Sequence, residues 1–182
     1  MKHVLYDGHA VLTVPYSLSA KSKPGQCAKI NGAWFAIAEQ RSQEFDVIVK
    51  STSPLLQLEE TLLVEGPTGP GFQNAACSHA IVVAGGTGLG AVISLLKYRG
   101  ERGLTSDLIY FSKDMQIAQV VPPAYCKNVI LWNTVEKTRP DQPLVLPEIP
   151  KDSQVFVSGP KSLVEACKAA AQVSNLTCNL NF

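Results

Sequence analysis

Four glycines within six residues form the part of this sequence that is best suited to hold a ligand. They are Gly85, Gly86, Gly88 and Gly90, and they lie between an apolar run and a helix-like run. Gly86, Gly88 and Ala91 satisfy the spacing G-x-G-x-x-[G/A]. Glycines permit a tight turn and let the N–H groups of a following helix face a phosphate. The pattern predicts a pyrophosphate site for a dinucleotide, with tight packing of the turn as the alternative.

The residues around these glycines narrow the kind of phosphate site. Thr87 offers a hydroxyl donor, and Leu89 opens the predicted helix. No Gly-Lys-Ser or Gly-Lys-Thr follows, which excludes a Walker-type loop and the phosphoryl-transfer chemistry that it serves. The loop therefore predicts binding of a dinucleotide.

The end of the next predicted strand bears on which dinucleotide is bound. The run DLIYFS leads into Ser112, Lys113 and Asp114. At this place an acid favours NAD, whereas a base accommodates the extra phosphate of NADP. A hydroxyl and a cation before the acid favour NADP, and a solvent-facing Lys113 is the alternative.

Other chemistries have little support in the sequence. The five cysteines form an odd set without a C-x-x-C pair, and the three histidines have no ligand at helical spacing, so neither a disulfide framework nor a metal site is expected. Acyl transfer by Ser158 or Ser112 lacks a G-x-S-x-G elbow, and His79 is the last histidine of the chain.

The composition sets the class of protein. The chain has 182 residues, of which 46% are hydrophobic and 17% charged, as in a globular protein with a full core. A formal net charge of +1 without a basic run argues against a nucleic-acid partner. No apolar run reaches the roughly 20 residues that span a bilayer, and no signal peptide is recognisable. We expect a cytoplasmic protein without a membrane span.

The elements that must position the glycine loop change character near residue 77. Residues 1–76 contain short strand-like runs separated by turns, which predict a small antiparallel β-barrel. Residues 77–182 alternate strands with helices, predicted at Leu89–Tyr98 and Lys161–Gln172. They predict a Rossmann-like α/β domain with a five-stranded parallel sheet. The proline-containing segment 134–151 is predicted to be a surface loop.

Taken together, these pieces resemble the ferredoxin–NADP reductase family, in which a flavin-binding barrel precedes a nicotinamide-binding α/β domain. The matching segments cover nearly the whole chain and occur in the family's order: PGQ at 24–26, FDVIVKS at 45–51, VEGPTGPGF at 64–72, VVAGGTGLG at 82–90 and VFVSGPKSLVEACKAA at 155–170. The chain is similar to compact electron-transfer proteins of this kind, such as the electron-transfer subunit of dihydroorotate dehydrogenase and related NAD(P)H oxidoreductases.

The resemblance implies roles for residues of the second half. The loop 85–90 would hold the pyrophosphate, and Ser158, Gly159 and Pro160 would lie beside the nicotinamide where hydride is transferred. The family usually has cysteine where Ser158 stands, and serine can donate a hydrogen bond there. Phe182 matches the aromatic residue that closes over the flavin in some relatives, with burial against the last strand as the alternative.

The resemblance also implies a flavin site on the barrel, although the signature is altered. The family has arginine, any residue, tyrosine and serine where this chain reads AWFAIA at 33–38, so the phosphate-binding arginine is absent. Arg41 and Lys50 are candidates to replace it, with surface charge as the alternative. The residues expected at the flavin are Trp34, Phe35, Ala36 and Ile37.

Two further segments belong to the expected cofactor site. Where the family places a short helix after its VKS-like strand, this chain has STSPLLQLEE, and Ser51 and Thr52 there would contact phosphate or cap a turn. Gly69, in the VEGPTGPGF segment, completes the set.

The resemblance implies an NAD(P)H-dependent flavin oxidoreductase or electron-transfer subunit. Hydride would pass from NADP or NAD to FAD or FMN, and electrons would pass on to a protein or small acceptor. A partner subunit or a homodimer is expected because so small a barrel exposes apolar edges. The alternative is a non-catalytic nucleotide-binding or scaffolding subunit of a larger complex that has lost flavin binding.

Overall fold

The computed structural model describes residues 1–57, 62–138, 142–146 and 148–181. Its first half contains six strands: β1 (Lys2–Leu5), β2 (His9–Val14), β3 (Cys27–Ile30), β4 (Ala33–Gln40), β5 (Phe45–Lys50) and β6 (Val64–Thr68). They form an antiparallel sheet in the order β1-β2-β5-β4-β3-β6. Strand β4 pairs with β3 through its first half and with β5 through its second, and an irregularity between Ile37 and Glu39 bends the sheet around its core.

The second half contains five parallel strands and two helices. These elements are β7 (His79–Gly85), α1 (Leu89–Gly100), β8 (Thr105–Ser112), β9 (Asn128–Asn133), β10 (Gln154–Ser158), α2 (Lys161–Val173) and β11 (Thr177–Leu180). The strand order is β11-β10-β7-β8-β9. Strand β7 is buried at all seven positions, as expected of a parallel strand covered on both faces.

Alternate residues of β7 face two different helices. Ala80, Val82 and Ala84 belong to the core that contains α1, whereas Ile81 and Val83 belong to the core that contains α2. This alternation follows from the two-residue period of a strand. The glycine loop is thereby fixed at the end of a strand whose two faces are both packed.

Helix α1 also joins the two halves of the molecule. Ala38, Ile48 and Phe72 of the first half pack in the same apolar cluster as the buried face of α1. A separate cluster fills the antiparallel sheet. The shared cluster seats the antiparallel sheet against the N-terminal part of α1, so a cleft between the halves opens beside the glycine loop.

A fully buried arginine ties the connection between the two sheets to α1. Arg99 is 0% exposed. Its guanidinium donates to the carbonyl oxygens of Ala75, Cys77 and Thr105 at 2.6–2.8 Å, and its Nε donates to the Ser106 hydroxyl at 2.9 Å. Because hydrogen bonds satisfy the buried cation, Arg99 can hold residues 75–77 against β8.

The predicted fold class, an antiparallel barrel followed by a Rossmann-like domain with a five-stranded parallel sheet, is confirmed. Both helices begin where predicted, and α1 extends two residues beyond Tyr98. Strand β1 was not predicted because all four of its residues are exposed, so they carry no alternation of apolar and polar residues. After β5 the structure has a single 3₁₀ turn at Pro54–Gln57.

Two further observations concern the limits of the fold. The described parts of 134–151 contain neither helix nor strand, in agreement with the predicted loop, although Leu144 is buried. The proposed domain boundary after residue 76 falls in the connection between β6 and β7. Among the described residues, no helix has the length and apolar character needed to cross a membrane.

Candidate functional site

The glycine loop is a tight turn between β7 and α1. Residues Gly86–Gly88 form one 3₁₀ turn that leads directly into α1. Gly86 has a φ of +54°, a conformation that favours glycine. The buried Tyr110 hydroxyl donates to the Gly86 carbonyl oxygen at 3.3 Å, and burial raises the pKa of Tyr110 to about 12. The phenol therefore stays protonated, and its hydrogen bond to Gly86 stabilises the turn.

Gly88 is required by a close approach of two backbone segments. A Cβ atom on Gly88 would lie 2.3 Å from the carbonyl oxygen of Ser158 and 2.8 Å from the nitrogen of Gly159. The turn after β7 therefore contacts the turn after β10 directly, as parallel neighbours in the sheet require. Gly88 is therefore needed for tight packing of the turn, which was the alternative to a pyrophosphate site in the sequence analysis. This packing fixes the position of the turn.

A cleft of about 440 Å³ lies between the two halves beside these turns. Its size falls within the usual range for small-molecule sites, about 300–1,000 Å³. The lining residues are His9, Cys27, Trp34, Phe35, Ala36, Ile48, Lys50, Gly85, Gly86, Thr87, Gly88, Ser158, Gly159, Pro160 and Asn181. The cleft thus lies at the carboxyl ends of β7 and β10, where sheets of this class place ligands.

The cleft brings together ten of the site residues predicted from the sequence, in addition to Lys50, and leaves others outside it. Those that line it are Trp34, Phe35, Ala36, Gly85, Gly86, Thr87, Gly88, Ser158, Gly159 and Pro160. Those outside its lining are Ile37, Ser51, Thr52, Gly69, Leu89, Gly90, Ser112 and Lys113. Leu89 and Gly90 are buried in α1, and Phe182 lies outside the described residues.

Ser112 and Lys113 lie at the end of β8, the strand next to β7. Ser112 is buried, and its hydroxyl oxygen accepts from the backbone nitrogen of Asp114 at 3.1 Å. The side chain of Lys113 is exposed and forms no hydrogen bond or ion pair with the described residues. Lys113 is therefore open to a ligand group that reaches the end of β8.

The barrel wall of the cleft is aromatic and apolar. Trp34 is 58% exposed, and Phe35 and Ile48 line the same wall. Cys27 also lines it, and burial raises the pKa of its thiol, which stays neutral near pH 7. A flat aromatic ligand fits such a wall better than a charged one does.

His9 was not predicted as a site residue, because its partner is 105 positions away in the sequence. Its Nδ1 lies 3.1 Å from Oδ2 of Asp114. Burial tends to raise the pKa of Asp114, but hydrogen bonds from the Gly8 and Gln116 backbone and from His9 outweigh it and hold that pKa below its usual value. The ionised carboxylate accepts a hydrogen bond from Nδ1–H of His9, which leaves Nε2 of His9 for the cleft.

Asn181 is a second cleft residue that sequence reasoning missed. It is 5% exposed, and its Nδ2 donates to the Gly25 carbonyl oxygen at 3.3 Å. Its Oδ1 is buried and accepts no hydrogen bond from the described part of the chain. A buried acceptor without a partner costs about 1–3 kcal/mol, and an amide donor of a ligand would relieve that cost.

The two cations considered as replacements for the missing arginine differ in position. Arg41 does not line the cleft, and its guanidinium donates to Glu44 at 2.7 Å and to both oxygens of Asp46 at 2.7 and 3.0 Å. Lys50 lines the cleft and has no ion pair with any described residue. The guanidinium of Arg41 is therefore bound to carboxylates of the barrel, whereas Lys50 is available to a ligand in the cleft.

A second cleft of about 460 Å³ lies along the second half of β4, against the C-terminal part of α1. Lys97 in this cleft forms an ion pair with Glu39, and Arg102 lies 3.7 Å from the ring centre of Tyr98. It contains neither glycine turn. Among the described residues, no group of histidine, cysteine and acidic side chains is arranged to hold a metal ion. The first cleft is therefore the candidate site.

No protein-family model and no curated protein matches the sequence. Solved structures do match the fold. A type IV self-sufficient cytochrome P450 monooxygenase has a TM-score of 0.78 and 17% identity, over 98% of this chain and 27% of that chain. The ferredoxin reductase in carbazole 1,9a-dioxygenase, in its FAD apo form, has a TM-score of 0.77 and 16% identity, over 97% of this chain and 63% of that chain.

A ferredoxin NADP+ reductase from Neisseria gonorrhoeae, with bound FAD and NADP, has a TM-score of 0.65 and 12% identity, over 96% of this chain and 93% of that chain. The chain thus spans about a quarter of the cytochrome P450 and less than two thirds of the carbazole dioxygenase reductase. At identities of 12–17% the likeness establishes the fold. This chain has the ferredoxin reductase-like fold.

Proposed function

We propose that the protein is an NAD(P)H-dependent flavin oxidoreductase or electron-transfer subunit. The observation that carries the proposal is the cleft that joins the Gly86–Gly88 turn, the Ser158–Pro160 turn and the aromatic wall of β4. The pyrophosphate of a dinucleotide would bind at the Gly86–Gly88 turn, and a flat redox ring would lie between the Ser158–Pro160 turn and the aromatic wall. The fold of the Neisseria gonorrhoeae reductase, which holds FAD and NADP, supports the same arrangement.

The residues present fit a dinucleotide and a flavin in one cleft. Gly86 and Thr87 present the start of α1 to a pyrophosphate without an intervening large side chain. Phe35 and Trp34 line the wall of the cleft against which a flavin ring, from FAD or FMN, would pack. A bound flavin supplies the exchange between two-electron chemistry with nicotinamide and one-electron transfer to an acceptor.

The polar residues of the cleft would orient the two rings. Ser158 is 5% exposed yet lines the cleft, so its hydroxyl can donate to a ring edge without admitting much water. The unpaired Oδ1 of Asn181 can accept from an amide donor such as a nicotinamide carboxamide. Their role is positioning, and no acid–base pair is required in the proposed hydride transfer.

Several finer properties belong to the same proposal. Lys113 favours NADP over NAD if the adenosine ribose reaches the end of β8. The acceptor is a protein or a small molecule, and a partner subunit or homodimer covers the exposed apolar edge of the barrel. We retain residues 1–76 and 77–182 as its two domains, and the cytoplasm as its location.

A second candidate function rests on the residues that depart from the flavin signature. Ala33 stands where the family has its phosphate-binding arginine, and Ala36 stands where it has a serine for the flavin edge. A chain that kept the dinucleotide turn without a flavin would act as a nucleotide-binding or scaffolding subunit of a larger complex. Flavin binding therefore separates the two candidates.

The test is the cofactor content of the purified protein and its activity. We expect absorbance bands of flavin, either as purified or after addition of FAD or FMN, and oxidation of NADPH with an artificial acceptor. A protein that takes up no flavin and oxidises neither NADPH nor NADH would refute the oxidoreductase. Lys113→Ala should lower the ratio of NADPH to NADH affinity, and an unchanged ratio would refute its role.

A further inference from the structure

His9 and Lys50 lie directly opposite each other on one face of the antiparallel sheet. The register of β2 against β5 pairs these two residues, and such partners have Cβ atoms about 4.5–5.5 Å apart. Both line the cleft next to Gly86. Two side chains that can carry positive charge therefore meet at one place on the cleft wall.

The two ring nitrogens of His9 differ, because Nδ1 is hydrogen-bonded and Nε2 has no partner among the described residues. Its Nδ1 is bound to Asp114, which also accepts from the Gly8 backbone nitrogen at 3.0 Å. His9 is 8% exposed, and its Nε2 forms no hydrogen bond within the described part of the chain. The ring is therefore fixed, with one nitrogen directed to the cleft.

Gly86 keeps the space in front of that nitrogen open. A Cβ atom at this position would lie 3.8 Å from Nε2 of His9, and no other atom would be within 4 Å. The backbone around Gly86 and Thr87 also begins the helical segment, whose first N–H groups have no partner within the helix. Imidazole, ammonium and helix start thus border the same part of the cleft.

The charges of this region are not balanced by the residues that line it. Asp114 is the carboxylate partner of His9, and Lys50 has no counter-ion among the described residues. The described residues that line the cleft include neither aspartate nor glutamate. An anion beside Lys50 would therefore gain a counter-ion and meet no carboxylate of the cleft lining.

We infer that His9, Lys50 and the Gly86–Gly88 turn form an anion subsite that holds a phosphate group of a nucleotide cofactor. The subsite provides the positive charge that the altered flavin signature lacks at Ala33. The identity of the cofactor rests on the proposed function, whereas the anion chemistry does not. The phosphate belongs either to the flavin or to the nicotinamide dinucleotide, and binding measurements distinguish these sources.

The experiment is a calorimetric titration of the full chain at low ionic strength with riboflavin, FMN, FAD, NADPH and inorganic pyrophosphate. The variants are Lys50→Gln and His9→Gln, and Lys127→Gln is the matched control, because Lys127 is exposed and precedes β9 at the opposite edge of the parallel sheet. Thermal melts check that each variant folds. If His9→Gln does not fold, the test rests on Lys50→Gln, because Lys50 is exposed.

We expect Lys50→Gln to weaken the binding of a phosphate-containing ligand by about tenfold and to leave riboflavin binding unchanged. The control variant Lys127→Gln should bind every ligand as the wild type does. A loss confined to FMN and FAD assigns the subsite to the flavin phosphate. A loss confined to NADPH assigns it to the dinucleotide. Either result supports the inference, and added salt should reduce the difference.

Two outcomes separate the subsite from the proposed function. If flavin and NADPH bind and their affinities are the same in the wild type and in Lys50→Gln, the subsite is refuted and the oxidoreductase stands. If pyrophosphate binding depends on Lys50 but no flavin or NADPH binds, the oxidoreductase is refuted and the subsite stands. An equal loss of riboflavin and FMN binding in Lys50→Gln would also refute a phosphate contact.

Discussion

Replacing Gly88 with alanine should destabilise the protein even in the absence of any nucleotide. The added Cβ atom would lie 2.3 Å from the carbonyl oxygen and 2.5 Å from the carbonyl carbon of Ser158. These are backbone atoms at the end of a buried strand, so no side-chain rotation relieves the contact. The turns after β7 and β10 must separate by about 1.1 Å to bring this 2.3 Å contact to the 3.4 Å of an ordinary one.

Such overpacking costs about 1–3 kcal/mol. For a chain of this size, 1 kcal/mol lowers the melting temperature by about 2–4 °C, so we expect a decrease of about 2–12 °C. The measurement is thermal unfolding of the nucleotide-free protein, followed by circular dichroism. Widening this contact should also weaken NADPH binding, since the same turn borders the cleft.

Gly90→Ala, two residues further on in the first turn of α1, is the matched control. Its Cβ atom would lie 3.4 Å from the Ala36 carbonyl oxygen and 3.7 Å from Ile48, which are ordinary contacts. Neither glycine has a positive φ, so alanine meets no backbone strain at either position, and Gly90 lies in α1, where alanine has the higher helix propensity. Gly90→Ala should therefore melt at or above the wild-type temperature. If Gly88→Ala and Gly90→Ala have the same melting temperature, the packing argument is refuted.

Two further predictions concern buried charges. Arg99→Leu leaves several buried carbonyl oxygens without a donor and should lower the free energy of unfolding by about 3 kcal/mol or more in a urea titration; the exposed Arg102→Ala serves as its control, and equal effects would contradict the role of Arg99. The pKa of Asp114 is held below its usual value, so its contribution to stability is present above the unfolded-state pKa, about 4, and is lost as the pH falls through the lower folded-state pKa. Stability measured across this range should therefore fall less steeply in Asp114→Asn than in the wild type, and parallel curves would show that the carboxylate is not stabilised by folding.

Local patterns predicted the parallel half of the molecule well. Strand β7 is a continuous apolar run, and the Gly85–Gly90 loop marks its end, so the strand, the turn and the start of α1 were all recognisable. The face of α2 was recognisable from the spacing of Leu163, Val164 and Cys167, which are buried. Strand β1 was missed because an exposed edge strand carries no such pattern.

The sequence by itself determined the order of the elements after β1, the fold class and one wall of the candidate site. These features depend on neighbours within a few positions, where spacing and backbone freedom act directly. Only the tertiary structure decided that His9 meets Asp114 and lies opposite Lys50, that Asn181 reaches the cleft and that Arg41 is committed to Asp46. It also decided that Gly88 is required by a contact with Ser158. Such contacts join residues far apart in the chain, and their geometry exists only after the two sheets have packed.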